Sequence, residues 1–248
     1  GRTATAISAG LYHTCAILDN ASVKCWGEGD SGRLGYGNTN DLGDASGEMG
    51  DNLPVVDLGT GRTATAISTG SIHTCAILDN ASVKCWGYNS NGQLGYGNTN
   101  ILGNDSGEMG DNLPVVDLGT GRTATAIFNE FWHNCAILDN TSFKCWGQNT
   151  NGKLGYGHKN NLGDTSGEMG DNLTAVDLGT VGFCYSDPNN THWYLAKTAD
   201  EPGWSSGDSC YTPSGSVTPY GGQSCIGGSG LTSCISACQT AGINCNSQ

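Results

Sequence analysis

Three sets of residues in this chain are suited to chemistry: twelve cysteines, a thrice-repeated acidic loop and five histidines. Six cysteines fall in pairs ten residues apart: Cys15 and Cys25, Cys75 and Cys85, Cys135 and Cys145. The other six, Cys184, Cys210, Cys225, Cys234, Cys238 and Cys245, crowd the C-terminal quarter. No C-x-x-C pair recurs with a second such pair or with paired histidines, so zinc is not the natural reading. An even number of cysteines without metal spacing points to disulfides, which persist outside the cytosol. The expected location is extracellular, secreted or at the cell surface. Reduced, buried cysteines are the alternative, and fit only a cytosolic chain.

The acidic loop offers Asp44, Glu48 and Asp51 in its first copy. The second copy offers Asn104 or Asp105 with Glu108 and Asp111, and the third Asp164, Glu168 and Asp171. Calcium takes six to eight oxygens from carboxylates and carbonyls, and a glycine-rich loop can curl around it. The spacing is not that of an EF-hand, so calcium is the one cofactor expectation, set against a solvated acidic loop with Asx turns. Histidines recur at one repeat position as His13, His73 and His133, which favours scaffolding over an asymmetric catalytic constellation. His158 and His192 lie elsewhere, with no serine or cysteine nucleophile motif nearby. No enzyme is expected. Asn20, Asn80 and Asn140 each open an N-x-S sequon at the same repeat position, and Asn104, Asn172 and Asn189 open three more. These are expected N-glycosylation sites; against that, Asn and Ser also simply suit turns.

What positions these residues is a 60-residue repeat. GRTATAI opens at Gly1, Gly61 and Gly121; HTCAILDNASVKCWG at His13 recurs at His73 and, slightly altered, at His133. LGYG returns at Leu34, Leu94 and Leu154, and SGEMGDNL at Ser46, Ser106 and Ser166. Each unit is then one supersecondary module that packs on the next. Forty glycines and only 13% charged residues suit short strands joined by turns. In the first copy, strands are predicted over 3–7, 13–18, 22–26 and 53–58, a four-stranded blade. Centring the middle turn on Asn20 sets Ile17 opposite Val23 and Cys15 opposite Cys25. Opposed Cα atoms lie roughly 4.5–5.5 Å apart, within reach of a disulfide, so one staple per blade is expected.

The ordered set G-x-x-H-T-C-A-I-L, V-K-C-W-G and G-x-L-G-Y-G resembles the regulator-of-chromosome-condensation repeat family in a secreted, cysteine-containing form, over residues 1–180. The resemblance implies blades, commonly seven, closed into a ring. It also implies that His13, His73 and His133 bond between strands and that Trp26, Trp86 and Trp146 pack between blades. Nucleotide exchange on a small GTPase, the founding member's function, does not carry over to a disulfide-bonded, acidic chain. The scaffold can present a protein-binding face, so binding of a protein stays open.

The fold expectation is therefore all-β: three four-stranded propeller-type blades (1–60, 61–120, 121–180) in an open array. A small disulfide-rich domain (181–248) with one short helix over 233–241 follows. Sequence alone does not choose among the fifteen pairings of its six cysteines. Tyr185, Trp193, Tyr194 and Trp204 there suit a small core or a sugar-binding face. The net charge of −13 repels phosphate backbones and anionic lipid, and no apolar run is long enough to span a bilayer. Neither nucleic acid nor membrane insertion is expected. Gly1 follows no basic-then-apolar leader and reads as the start of a mature or trimmed chain. Open blade ends favour head-to-tail association of copies into a fibre or coat. The alternatives are a glycan- or calcium-binding adhesion module and a protein-binding propeller fragment.

Overall fold

The computed structural model describes residues 1–178 in full, with the backbone of two further strands at Phe183–Ser186 and Trp193–Ala196. The chain divides into two compact units, Gly1–Val176 and Asp177–Gln248. In the second unit the two short strands pair antiparallel. The helix over 233–241, the aromatic face and the bridges of the six C-terminal cysteines lie outside the described residues.

The first unit is three repetitions of one antiparallel sheet. Blade 1 holds β1 (Ala4–Ala9), β2 (His13–Leu18) and β3 (Val23–Gly27). Blade 2 holds β4 (Ala64–Thr69), β5 (His73–Leu78) and β6 (Val83–Gly87). Blade 3 holds β7 (Ala124–Glu130), β8 (His133–Leu138) and β9 (Phe143–Gly147). Strand order within each sheet follows chain order. No helix among the described residues is long and apolar enough to cross a membrane. The β2–β3 register is the one the turn dictates, with Ile17 opposite Val23 and Cys15 opposite Cys25. The Cα atoms of Cys15 and Cys25, Cys75 and Cys85, and Cys135 and Cys145 lie 4.1 Å apart and all three pairs are disulfide-bonded. The turn itself holds because Asn20 Oδ1 accepts from the backbone N–H and hydroxyl of Ser22, at 3.3 and 2.7 Å.

The sheets have three strands, not the expected four. Residues 53–58 run beside β3 but form no ladder, and the outer edge of β3 is served in pieces instead. Val56 N–H donates to Val23 O at 2.9 Å. The Tyr36 hydroxyl accepts from Cys25 N–H and contacts Cys25 O and Pro54 O, all within 3.1 Å. Gly27 and Leu42 exchange a pair of backbone bonds. Pro54 has no N–H to give a ladder, so a phenol replaces the missing backbone. An unpaired outer edge, a template for strand addition, is thereby covered.

Alternation along each hairpin gives two apolar faces, and stacking buries both. Cys15, Ile17, Val23 and Cys25 of blade 1 form one core with Ala64, Ala76, Leu78 and Trp86 of blade 2. Their counterparts Cys75, Ile77, Val83 and Cys85 form the next with Ala124, Ala136, Leu138 and Trp146 of blade 3. Blade 2, covered on both faces, buries every residue of β5 and β6. Gly35 belongs to this packing. It sits at φ +76°, and an added Cβ would lie 2.7 Å from Trp86 Nε1.

Candidate interaction faces

The joint between blades combines the apolar core with three polar latches, each repeated at the second joint. At the first, His13 Nε2 lies 2.8 Å from Thr74 Oγ1. The Thr74 hydroxyl and the Trp86 indole N–H both donate to Arg33 O, at 2.9 and 3.0 Å. Since the Thr74 proton is used, His13 Nε2 must be the donor, which leaves Nδ1 without a proton or a partner. Burial drives the His13 imidazole down to about 3, with nearby Arg33 and His73 adding to it. At the second joint His73 meets the Asn134 side chain, and Asn134 and Trp146 both donate to Gln93 O. Burial lowers His73 to about 4 against the opposing Asn134 bond. Both histidines are therefore neutral fasteners.

The second latch holds the strap at 57–60. Lys84 Nζ donates to Leu58 O and Gly110 O at 3.1 and 2.7 Å. Asp111 accepts from the N–H and hydroxyl of Thr60 at 2.8 and 2.6 Å, bonds that hold its carboxyl below the usual range. Lys144 and Asp171 repeat this on Leu118 and Thr120. The third latch lies along the first strands, where Ser8 Oγ meets Thr69 Oγ1 at 2.9 Å and Ser68 Oγ accepts from Asn129 N–H.

The outer faces of the three-blade array differ from the joints. On blade 1, Trp26 is only half-buried and Ile7 is 66% exposed, whereas Trp86 and Trp146 are fully buried. Leu178, the third-repeat counterpart of Leu58 and Leu118 (4% and 3% exposed), is 81% exposed. Blade 3 is also altered where it would meet a successor. Phe128 stands for Ser8 and Ser68, Phe143 for Val23 and Val83, and Glu130 for Gly10 and Gly70. A Cβ on Gly10 would sit 2.2 Å from Gly70 O of the next blade. The first joint therefore requires glycine at that position, whereas at the second a Cβ on Gly70 would first meet its own His73 ring, at 2.3 Å.

The acidic candidates are occupied locally. Glu48 accepts from Gly43 and Ala45 N–H; Glu108 from Gly103, Asn104 and Asp105; Glu168 from Gly163 and Thr165. Asp111 and Asp171 serve as latches, Asp51 is exposed in the counterpart position, and Asp44, Asp105 and Asp164 lie in the turn that the glutamate caps. Among the described residues no three His, Cys, Asp or Glu side chains gather as a metal site would require. Asn20, Asn80 and Asn140 are exposed at hairpin apices; Asn104 is half-buried, and Asn172 donates its amide to Gly167 O at 2.8 Å. Asn189 and His192 lie outside the described residues. His158 packs its ring against Tyr156 at 6.2 Å. What the sequence left unseen was the strap: Lys84, Asp111 and Thr60 look like surface residues until the neighbouring blade is in place.

The family model of the regulator of chromosome condensation (RCC1) repeat matches residues 4–33 and 64–93. Both matched stretches are thus similar to RCC1 repeats. The first RCC1 match is β1 to the Arg33 turn, and the second is the same span of blade 2. The chain is 30% identical over 152 residues to the ultraviolet-B receptor UVR8 of Arabidopsis thaliana, covering 61% of this chain and 31% of that one. It is 29% identical over 154 residues to the mitochondrial RCC1 domain-containing protein RUG3 of the same plant, covering 30% of it. The chain thus spans about a third of the length of these curated relatives. Among solved structures, human WBSCR16 aligns with a TM-score of 0.52 at 14% identity, over 80% of this chain and 46% of that one. These likenesses support the RCC1 blade fold; the relatives' own roles stay with them.

Proposed function

We propose that this RCC1-repeat chain is a non-enzymatic extracellular scaffold that works by blade-on-blade association, with the open face of blade 1 receiving the Cys–Ile face of another blade of its kind. The observation that carries the reading is the half-buried Trp26 face. It has the sequence of the Trp86 face, which is fully buried wherever a blade precedes it. Supplying the partner blade from a second copy gives a heterologous, head-to-tail contact, which propagates unless it closes. Glu130 and Phe128 set the terms of that contact: a third blade arriving from another copy cannot seat in the standard register near the first strands and must shift or tilt there. The result is a weak, reversible joint rather than a copy of the internal ones. Three hairpin disulfides suit an oxidising compartment, and Asn20, Asn80 and Asn140 are the acceptors for glycans at one rim.

The second reading is favoured by the relatives, of whose length this chain matches only about a third. In it, the same open face is filled by further blades of a longer polypeptide, and the completed propeller binds a protein. Negative-stain electron microscopy of the disulfide-bonded chain separates the two. Short end-to-end strings that dissolve on dilution support the scaffold. Uniform single particles at every concentration reject it in favour of the completed propeller.

A further inference from the structure

The repeats themselves record where this protein is not free to be identical. The first two are the same residue for residue except in three windows: 9–12, 28–33 and 41–45 against 69–72, 88–93 and 101–105. The fold brings these windows together. The first joins β1 to β2, the second leaves the end of β3, and His13 pairs with Gly27 to align those two ends. The Gly27–Leu42 bridge adds the third. Glu28 N–H donates to Tyr12 O at 2.9 Å, Gly29 N–H to Asp41 Oδ1 at 2.8 Å, and Arg33 lies 5.5 Å over the Tyr12 ring. Neighbouring blades continue the surface, as Ser71 N–H and hydroxyl donate to Phe131 O at 3.2 and 2.9 Å.

Exposure alone does not account for this pattern. The hairpin apex at Asp19 and Asn20 and the loop at 46–52 are also largely exposed, yet they are unchanged between the two repeats. Between these two repeats divergence is confined to one end of the stack, as a surface facing an asymmetric partner would have it, while the third repeat departs elsewhere too, at Thr141, Phe143, His158 and Thr174. The chemistry of that end is apolar and acidic. Leu11, Tyr12 and Phe131 are each more than half exposed, and Trp132 is 39% exposed. Between the blades a cavity of about 270 Å³ is walled by Leu11 and Phe131, with Thr69, Ser71, Asn129 and Glu130 completing it. Glu130 pairs with His133 through its backbone, and its carboxylate makes no hydrogen bond among the described residues. Lys153, which acts on it electrostatically, is itself held by Gln148 at 2.8 Å.

We infer that this end of the stack is a protein-binding face, and that its partner presents a lysine or arginine flanked by apolar side chains. The apolar walls take the flanks, Glu130 takes the cation, and the net charge of −13 draws a basic segment in. Aromatic residues around one desolvated charge are the usual composition of such a centre.

The test is to pan a phage-displayed random-peptide library on the disulfide-bonded full chain, then measure the enriched peptides by fluorescence anisotropy. Enriched peptides carry a Lys or Arg between apolar residues, and Glu130→Gln weakens them about tenfold or more. Phe131→Ser and Leu11→Ser weaken them comparably, while Asn80→Gln at the opposite end leaves affinity unchanged. All four residues are at the surface, and unchanged thermal melting verifies that each variant folds. The inference is overturned by a failure to enrich, by a consensus without a basic residue, or by affinities indifferent to both Glu130→Gln and Phe131→Ser.

Discussion

Acid should open the blade joints before it titrates the carboxylates, and the histidine latch sets the size of the effect. His13 and His73 are held neutral, at about 3 and about 4 against an ordinary 6.5. Folded-state values below the unfolded one mean that the unfolded chain binds more protons at intermediate pH. Stability is then fully present above about pH 6.5 and is lost as pH falls toward 4. Each histidine contributes a limiting slope of about 1.4 kcal/mol per pH unit in that window. From pH 7.5 to 5.0 this comes to about 2 kcal/mol for each and about 4 kcal/mol for both. The result does not depend on the folded values so long as they stay well below 5. Glu48, Asp111 and Asp171 act lower: held below their ordinary values of 4.5 or 3.8, they lose their share of stability only as pH falls through those values, beneath this window. The assay is urea unfolding followed by tryptophan fluorescence across this pH range, for the parent and for His73→Gln. Gln keeps a donor for Asn134 but cannot titrate, so the acid loss should shrink by about 2 kcal/mol, leaving the shares of His13 and of His133, which burial also lowers. A parent midpoint that is flat from pH 7.5 to 5.0, or a His73→Gln chain with the parent's full slope, would refute the reasoning.

Three further outcomes follow from the same joints. Trp86→Ala, which empties a fully buried site and removes one of the two donors to Arg33 O, should cost about 3–5 kcal/mol in chemical denaturation. Trp26→Ala on the half-buried counterpart should cost clearly less. Replacing Cys75 and Cys85 together by Ala removes a staple across ten residues and should lower stability by about 3 kcal/mol; loss of the mid-range proteolytic resistance of blade 2 would report it. Asp111→Ala should cost about 1–2 kcal/mol through the Thr60 latch, and Asp51→Ala, on the open face, next to nothing, as a paired thermal melt would show.

The hairpin and its disulfide were legible in the sequence because a two-residue period and a turn fix register together, leaving Cys15 and Cys25 no other neighbour. The repeat boundaries were legible because GRTATAI recurs without slippage. The fourth strand was not. Residues 53–58 read as apolar and extended, but strand pairing depends on what else reaches the edge of β3, and Tyr36 reaches it from another part of the chain. The acidic loops misdirect for a related reason. Glu48 looks like a ligand in sequence, yet its carboxylate closes a turn by accepting backbone N–H groups, a use that spacing alone does not distinguish from metal binding. The histidines were placed by resemblance, whereas their partners Thr74 and Asn134, sixty-one residues away, required the next blade. Glu130 in place of Gly10 was visible from the outset as a sequence difference, but it acquired meaning only when Gly70 O was found against that position.

The scaffold reading is tested most directly by sedimentation velocity over a wide concentration range on the parent, Trp26→Glu and Glu130→Gly chains. The account predicts concentration-dependent association in the parent, its loss when a charge is placed on the open blade 1 face, and tighter association once glycine restores the standard joint. A parent that stays monomeric throughout, with Glu130→Gly no different, would contradict it.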